Sequence, residues 1–425
     1  MNRRHLILAV VASIAVIITT TITILLTPAE TTILLPEPRT SISGSGSSVG
    51  VAGGPAPNNG SSRGSAAGGG IGISSIVQNI ESPSAIDVSK DGRIFFAEKT
   101  GQIMAMTINN GKLADHSILN IGAVQLGEDG LLGFALSPNF TENHLMYAYY
   151  TYANGNKIFN RVIMLKEIAD KVVDSKVIID AIPAAEFNNG GRIKFGPDNK
   201  LYVSTGDAMM PNLAQDLNSL AGKILRINPD GTIPRNNPLS GSPVYAYGFQ
   251  NVQGLAWHPR TNRLYALDES RSGNDEINII KPGGNYGWPI NECALGSTIS
   301  STSSTTSSTT SSSGSDNNSN TANIQHGDGK LEDPVICFSP ALEPGGAIFA
   351  ASNRLGYQND LIIASLRGYL REINLDSNTQ STILEGYGRL RDIIEAPDGS
   401  LLVATSNKDG FGIPGPNDDK ILRIR

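Results

Sequence analysis

Charge, cysteine and uninterrupted basic sequence are all scarce in this chain. Charged residues are only 17% of its 425 residues, the net charge is −6, and no long basic run occurs in its body. Nucleic-acid binding needs a basic face that neutralises phosphates, so nucleic acid is excluded as a partner. Two cysteines, Cys293 and Cys337, leave room for a single bridge. Low charge combined with 46 glycines and 23 prolines argues against a helical protein and for a strand-rich, loop-rich one.

The one long apolar run is N-terminal. Leu6 to Leu26 carries no charge, follows Arg3 and Arg4, and precedes the next basic residue, Arg39. At helical rise it spans roughly 30 Å, a bilayer core. The positive-inside rule then holds the N-terminus in the cytoplasm and places the remainder outside. Residues 1–27 are therefore expected to be a single-pass transmembrane helix, with a cleaved signal peptide as the alternative. Residues 28–70, rich in Ser, Gly, Ala and Pro, cannot offset chain entropy by burial and read as a flexible linker. A low-complexity Ser/Thr tract at 297–323 lies between the two cysteines. In an extracytoplasmic body a disulfide across it is allowed, and would stabilise by about 4 kcal/mol in the chain-entropy model. Two unpaired buried thiols are the alternative.

Residues 71–425 repeat one signature six times, a polar turn followed by an apolar strand. The copies are DGRIFFAE from Asp91, ENHLMYAYYT from Glu142, DNKLYVSTGD from Asp198, TNRLYALDE from Thr261, QNDLIIAS from Gln358 and DGSLLVATS from Asp398. A second strand follows each, as in GQIMAMTI, GKILRIN and the C-terminal KILRIR. The turns favour the positive φ that hairpins require, and the β-branched and aromatic runs suit strands. Six such units predict an all-β, six-bladed β-propeller, with Gly72–Glu81 completing the blade begun by KILRIR. In that architecture a ligand sits at one mouth of the central channel, on loops from several blades.

Several motifs occur in one order: GEDGLLGFALSPNF (127–140), EFNNGGRIKFGPDNKLYVSTGD from Glu186, YAYGFQNVQGLAWHP (245–259), DEINIIKPGGNYGWP (275–289) and GRLRDI (388–393). With them the chain resembles the soluble pyrroloquinoline quinone (PQQ)-dependent sugar dehydrogenases, the glucose/sorbosone dehydrogenase family. The resemblance implies oxidation of a sugar at its anomeric carbon, with hydride transfer to PQQ, assistance from calcium, and an external electron acceptor. The family histidine that removes the substrate proton, four residues before the arginine of GGR, is here Asn188, and the aspartate behind it matches Asp207. An amide holds no acceptor of useful basicity, so Glu128 and Asp207 are the carboxylates expected to replace it.

The resemblance places further residues. Glu128, Gln250, Asn251, Arg367, Arg389 and Arg391 match cofactor positions, with Gln250 where the family has arginine and Arg367 where it has lysine. Gln253 completes the family's N-x-Q. Glu276 and the backbone of Tyr286 match a structural calcium position, and Arg271-Ser272 stands at the Gly-Pro pair that brackets the active-site calcium. Two functional expectations follow. One is a membrane-tethered, extracytoplasmic PQQ-dependent aldose dehydrogenase. The other is a catalytically inactive propeller that binds a carbohydrate, another ligand or a protein.

Overall fold

The computed structural model describes residues 71–107, 117–293 and 330–425. The expected membrane segment 1–27, the linker 28–70 and the Ser/Thr tract 297–323 lie outside the described residues. Among the described residues no helix is long and apolar enough to cross a membrane.

The described residues form six four-stranded antiparallel sheets, the six blades of the expected propeller. Their first strands are Pro83–Val88, Leu131–Leu136, Gly190–Phe195, Val252–Trp257, Pro344–Phe349 and Leu390–Glu395. Each packs against the next, and the last against the first, so they close a ring around the channel. The second and third strands of each blade are the repeated hairpin seen in the sequence. The turn that joins the first strand of each blade to the second has a residue at positive φ in the same place: Gly92, His144, Asn199, Asn262, Asn359 and Gly399. These are mostly the residue types that enter the left-handed region at low cost, so local chemistry and fold agree.

The ring is closed by a strand exchange at its seam. Ile73–Gln78 pairs with Lys420–Ile424, and Gly72 and Arg425 exchange backbone hydrogen bonds of 3.0 and 2.9 Å. This covers the free edge of Lys420–Ile424 and completes the sixth blade, as KILRIR implied.

Apolar residues pack between blades rather than at one centre. Phe95, Phe134 and Met146 join blades one and two, Tyr147 and Val203 blades two and three, and Tyr202 and Leu255 blades three and four. Tyr265 and Phe349, Ile362 and Val403, and Phe96 and Leu402 complete the circuit. Middle strands such as Leu201–Thr205 and Leu401–Thr405 are therefore buried on both faces, which is why they read as continuous apolar runs. The outer strand Lys171–Pro183 is largely exposed and correspondingly polar.

Cys293 and Cys337 form a disulfide, with Cα atoms 6.1 Å apart. Cys337 lies opposite Glu276 in the fourth blade, and the Cys293 N–H donates to Glu276 Oε1 at 3.0 Å. The bridge thereby ties the Tyr286–Glu292 loop to that blade.

Candidate functional site

The first strands of all six blades run in the same direction along the channel, so the segments that enter them gather at one mouth. A cavity of about 200 Å³ opens there. Glu128 enters from the second blade, Gln253 and Glu269 from the fourth, Glu343 from the fifth, and Arg389 and Arg391 from the sixth. Lys99, Asp409 and Phe411 complete its charged and aromatic lining. Of the residues expected from sequence, Glu128, Gln253, Arg389 and Arg391 thus share one space.

An ion pair closes the floor. Arg192, the arginine of GGR, meets Asp392 at 2.9 Å with both side chains almost fully buried. Arg192 Nε donates to the Gln253 carbonyl at 3.0 Å, and Asp392 Oδ2 accepts the Ile86 N–H at 2.9 Å. Four first strands are therefore joined beneath the cavity. Glycine at 346 permits this, because a Cβ there would overlap Asp392 Oδ1.

The lining charges are unequally satisfied. Arg389 Nε holds Asp409 at 3.1 Å, and Lys99 Nζ donates to the carbonyls of Gly127 (2.6 Å) and Asp409 (3.2 Å). No side-chain hydrogen bond or ion pair joins the Arg391 guanidinium to another described residue. Burial, and then Arg192 beside it, disfavour its charge. Such a cation is poised for an anionic guest. Burial, and then the charges of Glu128 and Asp275, push the Glu269 carboxyl well above the usual carboxylate range. Glu269 accepts a hydrogen bond from the Asn251 amide at 3.0 Å. Glu128 Oε2 accepts the Asn188 backbone N–H at 3.2 Å.

Asn188 and Asp207 stand behind this lining rather than in it. Asn188 is in the left-handed region (φ 58°) and 3% exposed, and its Nδ2 donates to Asp207 Oδ1 at 2.9 Å. Asp207 is 1% exposed and also accepts Trp288 Nε1 and the Met209 N–H, each at 2.9 Å. A Cβ at Gly206 would overlap the Asn188 carbonyl, so the glycine of STGD allows this close approach. The amide is committed to Asp207, and Asp207 is enclosed by its donors. Of the two carboxylates expected to replace the histidine, only Glu128 reaches the cavity.

The remaining expected residues are dispersed. Asn251 Oδ1 accepts the Gly190 N–H at 2.9 Å, which links it to the GGR turn. Gln250 is buried, its backbone N–H donating to Asp268, and it faces a separate void of about 10 Å³ with Glu276 and Tyr286. Arg367 lies at the rim, 3.6 Å from Glu343. The Arg271 guanidinium lies 5.0 Å from the Phe187 ring, and Ser272 bonds to Ser270. Phe187 in turn packs on Phe411 at the cavity mouth.

Sequence reasoning missed Lys99, Glu269, Glu343, Asp409 and Phe411. A signal for two of them was present: Lys99 and Glu269 directly follow the second strand of their blades, as do the cavity residues Leu366 and Ser406. Superposing the six repeats would have aligned these positions.

Residues 80–413 match the family described as Glucose / Sorbosone dehydrogenase. Quinoprotein glucose dehydrogenase B of Acinetobacter calcoaceticus is 28% identical over 408 residues, covering 79% of this chain and 85% of that protein. An uncharacterised Synechocystis protein is 29% identical over 371 residues, covering 79% of this chain and 84% of its own length. The PQQ-bound structure of aldose sugar dehydrogenase from Streptomyces coelicolor is 32% identical with a TM-score of 0.68, covering 84% of this chain and 98% of that one.

Proposed function

The chain belongs to the glucose/sorbosone dehydrogenase family, and from that premise we propose that it is a PQQ-dependent aldose dehydrogenase in which Glu128 replaces the histidine base. The observation that carries this reading is the Arg391 guanidinium, unpartnered within a cavity that Glu128 also lines. PQQ bears three carboxylates, and the lining fits such a group: Arg391 is free to bind one, with Arg389 and Lys99 beside it. When bound, PQQ would supply the hydride acceptor.

The chain's own residues supply the proton chemistry. The Asn188 N–H fixes Glu128 Oε2 and leaves Oε1 to take the proton of the anomeric hydroxyl. Burial raises the Glu269 carboxyl, so its protonated form is favoured relative to an ordinary carboxylate and can donate a hydrogen bond to the sugar.

Calcium does not fit the side chains as they stand. It requires six to eight oxygen ligands, yet both Glu276 oxygens accept hydrogen bonds, from Cys293 N and Asn278 Nδ2. The adjoining void of about 10 Å³ has room for about one water. Among the described residues no group of three or more His, Cys, Asp or Glu is placed to hold a metal. At Arg271-Ser272 the arginine's own charge opposes a cation. No step is assigned to calcium.

The reading includes an extracytoplasmic body, tethered to a membrane by residues 1–27 and passing electrons to an external acceptor. The Cys293–Cys337 disulfide supports that compartment, because such bonds persist where conditions are oxidising. One observation favours the inactive ligand-binding propeller instead, namely the commitment of the Asn188 amide to Asp207. Aldose-dependent dye reduction by the full chain supplied with PQQ separates the two. Turnover supports the dehydrogenase, whereas PQQ binding without turnover, or no binding, overturns it.

A further inference from the structure

Glu343 is a cavity carboxylate that the proposed chemistry does not use, and its position is costly to hold. Its φ is +48°, a left-handed conformation that side chains other than Gly, Asn and Asp seldom adopt, and Pro344 follows it. Two hydrogen bonds fix that backbone: the Glu343 N–H donates to Asp275 Oδ2 at 2.7 Å, and the Leu366 N–H donates to the Glu343 carbonyl at 2.9 Å. The result brings the carboxylate between two arginines. Oε1 lies 3.6 Å from Arg367 Nη1, and Oε2 lies 3.9 Å from Arg389 Nη1. Both arginines match positions expected to meet cofactor carboxylates. A strained backbone held by its neighbours marks a position set for more than local stability.

We infer that Glu343 is an internal competitor for the arginines that receive a polycarboxylate, so that it determines how tightly the cavity takes its cofactor. The inference rests on the reading that the cavity binds PQQ. An incoming carboxylate must displace Glu343 from Arg367 and Arg389, or share them against its charge. The cavity of about 200 Å³ falls below the 300–1,000 Å³ typical of ligand clefts, consistent with a side chain occupying part of the site. Glu343 is 39% exposed and Arg367 44%, so solvent screens the pairing and the effect is graded rather than absolute.

The test is calorimetric titration of PQQ into the full chain and into two variants, with no turnover required. Glu343→Gln keeps the shape and removes the charge, while Glu343→Gly also suits the positive φ and guards against misfolding of the first. Both variants are expected to bind PQQ about fivefold more tightly than the parent at low salt, with the difference narrowing as salt screens the charge. Equal or weaker binding by both variants overturns the inference while leaving the cofactor reading intact. Failure of all three forms to bind PQQ overturns the cofactor reading and this inference together.

Discussion

Removing Asp392 tests whether the buried ion pair holds the propeller's axis together. The pair is 2.9 Å long with side-chain exposures of 6% and 8%, so water cannot replace the lost partner. Asp392→Ala leaves the Arg192 guanidinium without its counter-ion, which typically costs about 3–5 kcal/mol. The same change orphans the Ile86 and Ile393 N–H groups, which donate to Asp392 at 2.9 Å each. Asp392→Asn keeps an acceptor and loses only charge, so it should cost about half as much. Replacing both partners, as Arg192→Met with Asp392→Leu, should be less damaging than Asp392→Ala alone, because no charge is left buried. Urea denaturation monitored by fluorescence, with an unchanged slope, reads each difference. A loss below about 1 kcal/mol for Asp392→Ala would refute the reasoning, as would a double variant weaker than the single one.

Two further outcomes follow from buried groups elsewhere. Burial pushes Asp129 from 3.8 up to about 7, so the folded state binds its proton more tightly than the unfolded one. That contribution is fully present below about pH 4 and is lost as pH rises through about 7, at up to about 1.4 kcal/mol per pH unit. Denaturation midpoints should therefore fall between pH 4.5 and 7.5, and Asp129→Asn should flatten the fall; a flat parent profile contradicts the assignment. Replacing Cys293 and Cys337 by Ala together should destabilise by up to about 4 kcal/mol, read by denaturation under non-reducing conditions. A change within about 0.5 kcal/mol would show that the bridge adds nothing beyond ordinary surface effects.

The fold was legible because its determinants are local and repeated. Turns built on Gly92, Asn199, Asn262, Asn359 and Gly399 state their geometry in their own residue types, and each precedes a strand buried on both faces. The site was legible only in part. Glu128, Arg389 and Arg391 stood in motifs that carry the family resemblance, and they meet in one cavity. Lys99 and Glu269 were legible only by superposing the repeats, and Glu343 and Asp409 not at all, because a loop residue's distance from the channel depends on blade packing rather than on sequence period. Asp207 shows the reverse difficulty. Its motif placed it beside position 188 correctly, yet enclosure by Trp288, Met209 and Asn188 keeps it from the cavity, and enclosure has no sequence pattern.

Glu128→Gln tests the central claim most directly, because it retains shape and hydrogen bonding while abolishing the proposed proton acceptor. The account predicts PQQ affinity within about threefold of the parent and aldose-dependent dye reduction lowered by about 10²-fold or more. Parent-like turnover by Glu128→Gln would contradict it, and would move the proton acceptor away from this carboxylate.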